Sequence, residues 1–184
     1  MRSALVTIVI VLLLVAANAM AETIGLYFAH GEMHYSPTMP FELFKGYVIS
    51  YAVPCDLTAV EFGLGVPTGI TVQNFTIPNV ALAITQDYTA DLSVAFWPAL
   101  NSGSNLLCTF DLMATETCTE FGGIIQDAPI RIIPSANTGR ILYVCYDAVA
   151  PHLHDIIGLS STICPVFIAA QETSWGAIKS LFAE

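Results

Sequence analysis

His30, Glu32 and His34 fall on one face of the chain if that segment is extended, and His152, His154 and Asp155 form a second group of the same kind. Imidazole and carboxylate groups are ligands for first-row transition metals. A metal centre would require the fold to bring the two groups together. No spacing of the HExxH kind is present, so two polar loops that hold the four histidines of the chain are the plainer expectation, and no cofactor is expected. Trp97, Tyr47, Tyr51, Tyr88 and Tyr143 offer ring faces that could stack on sugars, because tyrosine and tryptophan join an apolar body to a polar tip. Strand aromatics packed at a sheet edge give the same pattern. Asp87, Asp91, Asp111, Glu116, Glu120 and Asp127 supply the oxygen chemistry that calcium takes, but without EF-hand spacing they read as a solvated acidic rim.

Nucleophilic catalysis finds little support. Gly158-Leu159-Ser160-Ser161 does not fit the GxSxG elbow, and no other segment does. A cysteine–histidine pair outside the cell would leave its thiol open to oxidation. Carboxylate pairs for glycoside cleavage can be drawn from too many acids to carry information.

The elements that must position these residues are short. Apolar runs at roughly 24–28, 43–53, 59–64, 70–76, 80–84, 91–97, 105–113, 124–133, 140–146 and 163–169 are separated by turn signals such as Pro67-Thr68-Gly69, Asn101-Ser102-Gly103 and Asn137-Thr138-Gly139. Val60, Phe62 and Leu64 alternate with Glu61, Gly63 and Gly65; Leu92, Val94 and Phe96 alternate with Asp91, Ser93 and Ala95. Period two with one polar face marks half-buried antiparallel strands. Many such strands predict an all-β fold, an antiparallel β-sandwich over residues 22–170. On that alternation Trp97 faces outward. Leu106, Cys108, Phe110 and Leu112 share a face, which places Cys108 in the core as a small hydrophobe.

Residues 1–21, MRSALVTIVIVLLLVAANAMA, have the three parts of a secretory signal peptide: Arg2, an apolar run, and Ala19-Met20-Ala21 as the cleavage site, with Ala17-Asn18-Ala19 as the alternative. The run is shorter than the about 20 residues a spanning helix needs, so no membrane span is expected after cleavage. Export places the protein in an oxidising compartment, where disulfides are the default. The five cysteines, Cys55, Cys108, Cys118, Cys145 and Cys164, leave at least one unpaired. Cys108 is the expected free thiol. Cys118, in a polar turn, and Cys145, at the end of an apolar strand, are the expected local pair.

The net charge is −10, and beyond the leader only Lys45, Arg131, Arg140 and Lys179 oppose the 15 acidic residues. Nucleic-acid binding needs a basic footprint that this chain lacks. The last residues differ from the rest. Gln171-Glu172-Thr173-Ser174 reads as a polar helix start, and Trp175, Ile178, Leu181 and Phe182 then fall on one face at helical spacing. A helix this short is marginal alone, so the tail over 171–184 is expected to be a short amphipathic helix used for docking.

Two features together carry a resemblance: the Ile24-Gly25-Leu26-Tyr27-Phe28 strand after the leader, and Cys164-Pro165-Val166 followed by Thr173-Ser174-Trp175-Gly176-Ala177-Ile178-Lys179-Ser180-Leu181-Phe182. This resembles a group of uncharacterised secreted bacterial proteins closing with a (Thr/Ser)-x-Trp-Gly-x-(Val/Ile)-Lys-x-Leu-(Tyr/Phe) tail. Members of that group often carry a cysteine soon after the first strand, where this chain has His30 and His34. The middle, from the 41–53 strand through Val60-Glu61-Phe62 to 106–113, is similar to cohesin-like and carbohydrate-binding-like β-sandwiches. The resemblance implies a cohesin-like or jelly-roll-like sandwich and brings no catalytic residue. The expected function is a secreted, non-enzymatic binding or surface-interaction module, with a polysaccharide or a surface protein as partner. The alternatives are a structural subunit that assembles through its apolar surface and tail, and a secreted hydrolase.

Overall fold

The computed structural model describes residues 21–28, 31–78, 81–84, 87, 89–118, 127–146 and 151–164. Residues 1–20 of the expected leader, the tail over 171–184, His30 and Tyr88 lie outside the described residues. Every regular element described is a β-strand: β1 (Thr23–Tyr27), β2 (His34–Tyr35), β3 (Leu43–Val53), β4 (Leu57–Gly65), β5 (Ile70–Thr76), β6 (Ala81–Ala83), β7 (Leu92–Leu100), β8 (Gly103–Ala114), β9 (Ala128–Ile133), β10 (Leu142–Cys145), β11 (His152–Asp155), β12 (Ile157–Gly158) and β13 (Ser160–Ile163). Among the described residues no helix is long and apolar enough to cross a membrane.

The strands form two sheets. The first runs β12-β1-β3-β8-β5, and the second follows the path β11-β10-β4-β9-β13-β2. In the second, β7 pairs with β4 and β6 with β7. One edge of β4 is shared: β10 pairs with its first half and β9 with Gly63–Gly65. Residues 128–145 are therefore one strand path interrupted by an excursion at 134–141. Asp91 ties down that excursion. It is 8% exposed, accepts a hydrogen bond from Ser135 Oγ at 2.9 Å and another from Asn137, while the Ala136 N–H donates to the Ala90 carbonyl. Sequence reading places Asp91 on an acidic rim; in the fold it is a buried anchor, satisfied as buried polar groups must be.

The two inner faces make the core. Ile24, Leu26, Val48, Phe110 and Leu112 come from the first sheet, and Val60, Phe62, Leu64, Leu92, Val94 and Ile130 from the second; each is at most 2% exposed. Gly46 lies where an added Cβ would stand 2.8 Å from Leu26 Cδ1, so a side chain there would displace the β1–β3 packing. Cys108 is the free, buried cysteine, as expected, and burial pushes its thiol up from the ordinary range.

Leu106 does not share the face of Cys108 that the alternation predicts. Leu106 is 46% exposed and Leu107 is fully buried. Val48 stands opposite Cys108 and Ile49 opposite Leu106, so Leu107 is an extra residue on β8, a bulge that reverses the alternation N-terminal to Cys108. The expected pairing of Cys118 with Cys145 is also overturned. Cys145 closes on Cys55, and Cys118 on Cys164. The physical reason is register: β10 lies along the start of β4, where Cys145 pairs with Leu57, two residues from Cys55. Cys118 instead lies at the end of β13, where Cys164 bonds back to Tyr35 through its N–H.

Tyr35 anchors the turn that precedes β3. Its hydroxyl donates to Glu42 at 2.5 Å, and the Glu42 carboxylate also accepts from Thr38 N–H, Thr38 Oγ1 and Met39 N–H. These bonds favour the ionised form, the Tyr35 hydroxyl first among them, and hold the Glu42 carboxyl down at about 2. Burial and the same carboxylate push Tyr35 up to about 12. A depressed carboxyl contributes stability above its unfolded value and loses it as pH falls through the folded one. We therefore expect Glu42→Gln to unfold at lower urea than the parent near neutrality. The gap should close as pH falls from 4.5 towards about 2; a gap that persists at the acid end would contradict this role.

Candidate functional site

Period-two strands that bury one face leave the other to solvent, and here one outer face is apolar. On the second sheet Leu82 stands opposite Ala95, Ala95 opposite Ala59, Ala59 opposite Val144 and Val144 opposite Leu153. Five hydrogen-bonded strands, β6-β7-β4-β10-β11, thus carry one uninterrupted apolar row. Its middle is small and its ends are large. Leu82 is 67% exposed and Leu153 65%, with Ile84 at 66% beside Leu82 and Trp97 at 82%, two residues beyond Ala95.

The size pattern makes the face concave. A hollow of about 200 Å³ lies along it, lined by Ala59, Glu61, Ile84, Ser93, Val144 and Leu153 among others. Ala59 and Ser93 form a low floor because they carry the shortest side chains, while Ile84 and Leu153 stand up on either side. Glu61 is a carboxylate at the margin and accepts a hydrogen bond from Thr138 Oγ1 at 2.8 Å. Beyond Leu153, Arg140 and Asp155 form a two-point pair at 2.7 and 2.5 Å. That pair holds the Asp155 carboxyl below the usual carboxylate range. Exposed apolar surface rimmed by polar groups is the mark of an interaction site.

The other sequence candidates are distributed differently. Trp97 is outward, as the alternation implies, but Tyr47 and Tyr51 are on β3 in the first sheet. Tyr47 stands opposite Tyr27, and the Tyr27 and Tyr51 rings meet edge to face with centroids 5.3 Å apart. A separate apolar hollow of about 570 Å³ lies there, with Thr23, Tyr27, Tyr51 and Gly103 in its lining. Trp97 and the two tyrosines are therefore on different sheets and form no common platform. Tyr143 is 1% exposed; its hydroxyl donates to Glu22 at 2.6 Å.

The two metal-ligand groups are also kept apart. His34 is on β2 and His152 and His154 are on β11, the two ends of the strand path through the second sheet. Each group is engaged locally instead: His34 lies 3.4 Å from Glu32, His154 stacks on the Tyr143 ring with centroids 4.9 Å apart, and Asp155 is committed to Arg140. Among the described residues no group of three His, Cys, Asp or Glu side chains converges as a metal site. Asp111, another expected rim acid, pairs with Lys45 at 2.6 Å.

Sequence reading missed the groove because its row draws on segments between Leu82 and Leu153 that only strand pairing aligns. The available signal was the contrast between Ala59 and Ala95 on outward positions and the apolar Leu82, Val144 and Leu153 on theirs.

Two packed sheets of mainly antiparallel strands define a β-sandwich. No protein-family model matches the chain, and no curated sequence matches it. Solved structures do match. The cohesin module from the family 33 glycoside hydrolase of Clostridium perfringens ATCC13124 superposes with a TM-score of 0.54 at 8% identity, over 79% of this chain and 98% of that one. The seventh ScaB type I cohesin of Pseudobacteroides cellulosolvens gives 0.53 at 10% identity, over 82% and 96%. A chain in the type I Coh-OlpC–Doc435 cohesin–dockerin complex from Clostridium thermocellum gives 0.50 at 9%, over 79% and 95%. The fold is a cohesin-like β-sandwich.

Proposed function

We propose that this chain is an exported, non-enzymatic binding module that docks a protein partner on the outer face of β6-β7-β4-β10-β11. The observation that carries the proposal is the unbroken apolar row from Leu82 to Leu153 with its small-residue floor. Its partner presents an apolar ridge to the groove and basic groups to the rim. The ridge fits the concavity between Ile84 and Leu153, and the basic rim complements Glu61 and a net charge of −10. A protein is favoured over a polysaccharide because the aromatic side chains that would stack on sugars are divided between two sheets, whereas the groove is aliphatic. Cohesin-like folds that have been solved together with dockerins support the same class of role.

The leader over 1–21, the sandwich over 22–170 and the tail over 171–184 complete the reading. Cleavage after Ala21 would deliver the domain to an oxidising compartment, which the two disulfides support.

The test is capture by the immobilised chain from envelope-protein and polysaccharide fractions. Three forms are compared: the parent, Ala59→Arg, which drives a charged side chain up through the groove floor, and Tyr51→Ala on the other sheet. Burying an uncompensated charge in an apolar contact costs several kcal/mol, so we expect about a hundredfold loss of protein capture with Ala59→Arg and none with Tyr51→Ala. Retention of polysaccharide by all three forms, or loss with Tyr51→Ala alone, would refute the assignment. Self-association of the parent that Ala59→Arg abolishes would mean that the groove takes a second copy.

A further inference from the structure

A second exposed apolar surface lies where the chain leaves β13. Cys164 is held from three directions: its N–H donates to the Tyr35 carbonyl at 2.8 Å, its carbonyl accepts from Asp127 N–H at 2.9 Å, and its sulfur is bonded to Cys118. Tyr35 stacks on Phe44 with centroids 4.3 Å apart and donates its hydroxyl to Glu42. The point at which residues 165–184 depart is thus fixed to the turn that Glu42 organises.

That turn presents apolar side chains to solvent. Met39 is 59% exposed, Phe41 67% and Leu43 66%, and Leu43 stands opposite the half-buried Met113. Phe41 has φ of 61°. The left-handed region suits glycine, and a bulky aromatic residue there is strained. Neighbouring bonds to Glu42 hold the turn, so the fold keeps a strained, exposed phenyl ring where glycine would be easier. Residues held in such conformations cluster at ligand clamps and switch regions.

We propose that the C-terminal segment 171–184 of the same chain docks on Met39, Phe41 and Leu43 through Trp175, Ile178, Leu181 and Phe182. The tether argues for this occupant. Only residues 165–174 separate Cys164 from Trp175. They reach about 36 Å when extended and about 18 Å as a flexible coil, and the turn begins beside Tyr35, which Cys164 already touches. A linker this short holds the segment at an effective concentration in the millimolar range. The four apolar side chains, spaced for one helical face, match a patch made of one aromatic and two aliphatic groups.

The experiment uses the full chain and two readouts. Lys179 is the only trypsin site in 171–184, so cleavage after Lys179 reports release of the segment. Phe41→Gly removes the ring and the backbone strain together and should leave the domain folded. Loss of the ring's burial should speed cleavage about tenfold or more. In the parent, the ¹³C-labelled Met39 methyl should resonate upfield under the Trp175 indole and return downfield in Trp175→Ala, at every protein concentration. Equal cleavage in parent and Phe41→Gly with an unmoved Met39 methyl would overturn the inference. A methyl shift that appears only on raising the concentration would also overturn it, assigning the segment to a second copy. The groove of the Ala59 face takes no part in either readout, so failure here leaves the proposed function intact.

Discussion

Replacing Cys55 and Cys145 together by serine is expected to lower the unfolding free energy by about 4–5 kcal/mol. The bond joins residues 90 apart, and closing a loop of that length removes about this much conformational freedom from the unfolded chain. The link closes between two segments that backbone hydrogen bonds also hold together. Cys145 already ends the strand that pairs with the start of β4, and Tyr146 N–H donates to the Asp56 carbonyl at 2.7 Å. The Cys118–Cys164 bond spans 46 residues, so its removal should cost slightly less. Urea titration of the two double variants under non-reducing conditions measures both. A larger loss from the Cys118–Cys164 variant would mean that native-state contacts around Cys164, rather than loop length, dominate its contribution.

Phe62→Ala should cost about 3–5 kcal/mol, the usual loss when a fully buried aromatic side chain is truncated. Phe62 is fully buried on the inner face of β4, and Ala59 and Glu61 of the same strand form the groove on its outer face. The strand pairs with β7, β9 and β10, so its inner face anchors the central rib of the docking surface. A domain typically has 5–15 kcal/mol in total, so the variant should unfold at markedly lower urea in an otherwise cooperative transition. A loss below about 1 kcal/mol would mean that the cavity collapses, and that β4 is less constrained than its pairing implies.

The strands with clear alternation are legible in the sequence. Val60, Phe62 and Leu64, and Leu92, Val94 and Phe96, face inward as their period requires, and the runs at 43–53 and 70–76 coincide with β3 and β5. What the local pattern could not supply is pairing. Leu106 and Leu107 exchange faces because of a bulge defined by the partner strand. β11, β12 and β13 are short, and His152–Asp155 is exposed throughout, so no apolar period marks them; the apolar run at 163–169 begins at the last residue of a strand at Ser160–Ile163. The Cys55–Cys145 bond was hidden for the same reason, since β10 reaches Cys55 only through its register on β4. Of the candidate site, Trp97 was identified as outward, but its neighbours were not. Ala59, Val144 and Leu153 look unremarkable along the chain and become a groove only when β10 is set beside β4 and β11 beside β10.

The central claim is that the face carrying Ala59 is the docking surface. Hydrogen–deuterium exchange of the chain with and without the protein it captures tests this most directly, because contact slows exchange at the strands it covers. The account predicts added protection within 81–84, 93–97, 142–145 and 152–155, with β3 and the adjoining β8 residues 105–113 unchanged. Protection confined to β3 and β8, on the Tyr47 and Tyr51 side, would contradict it.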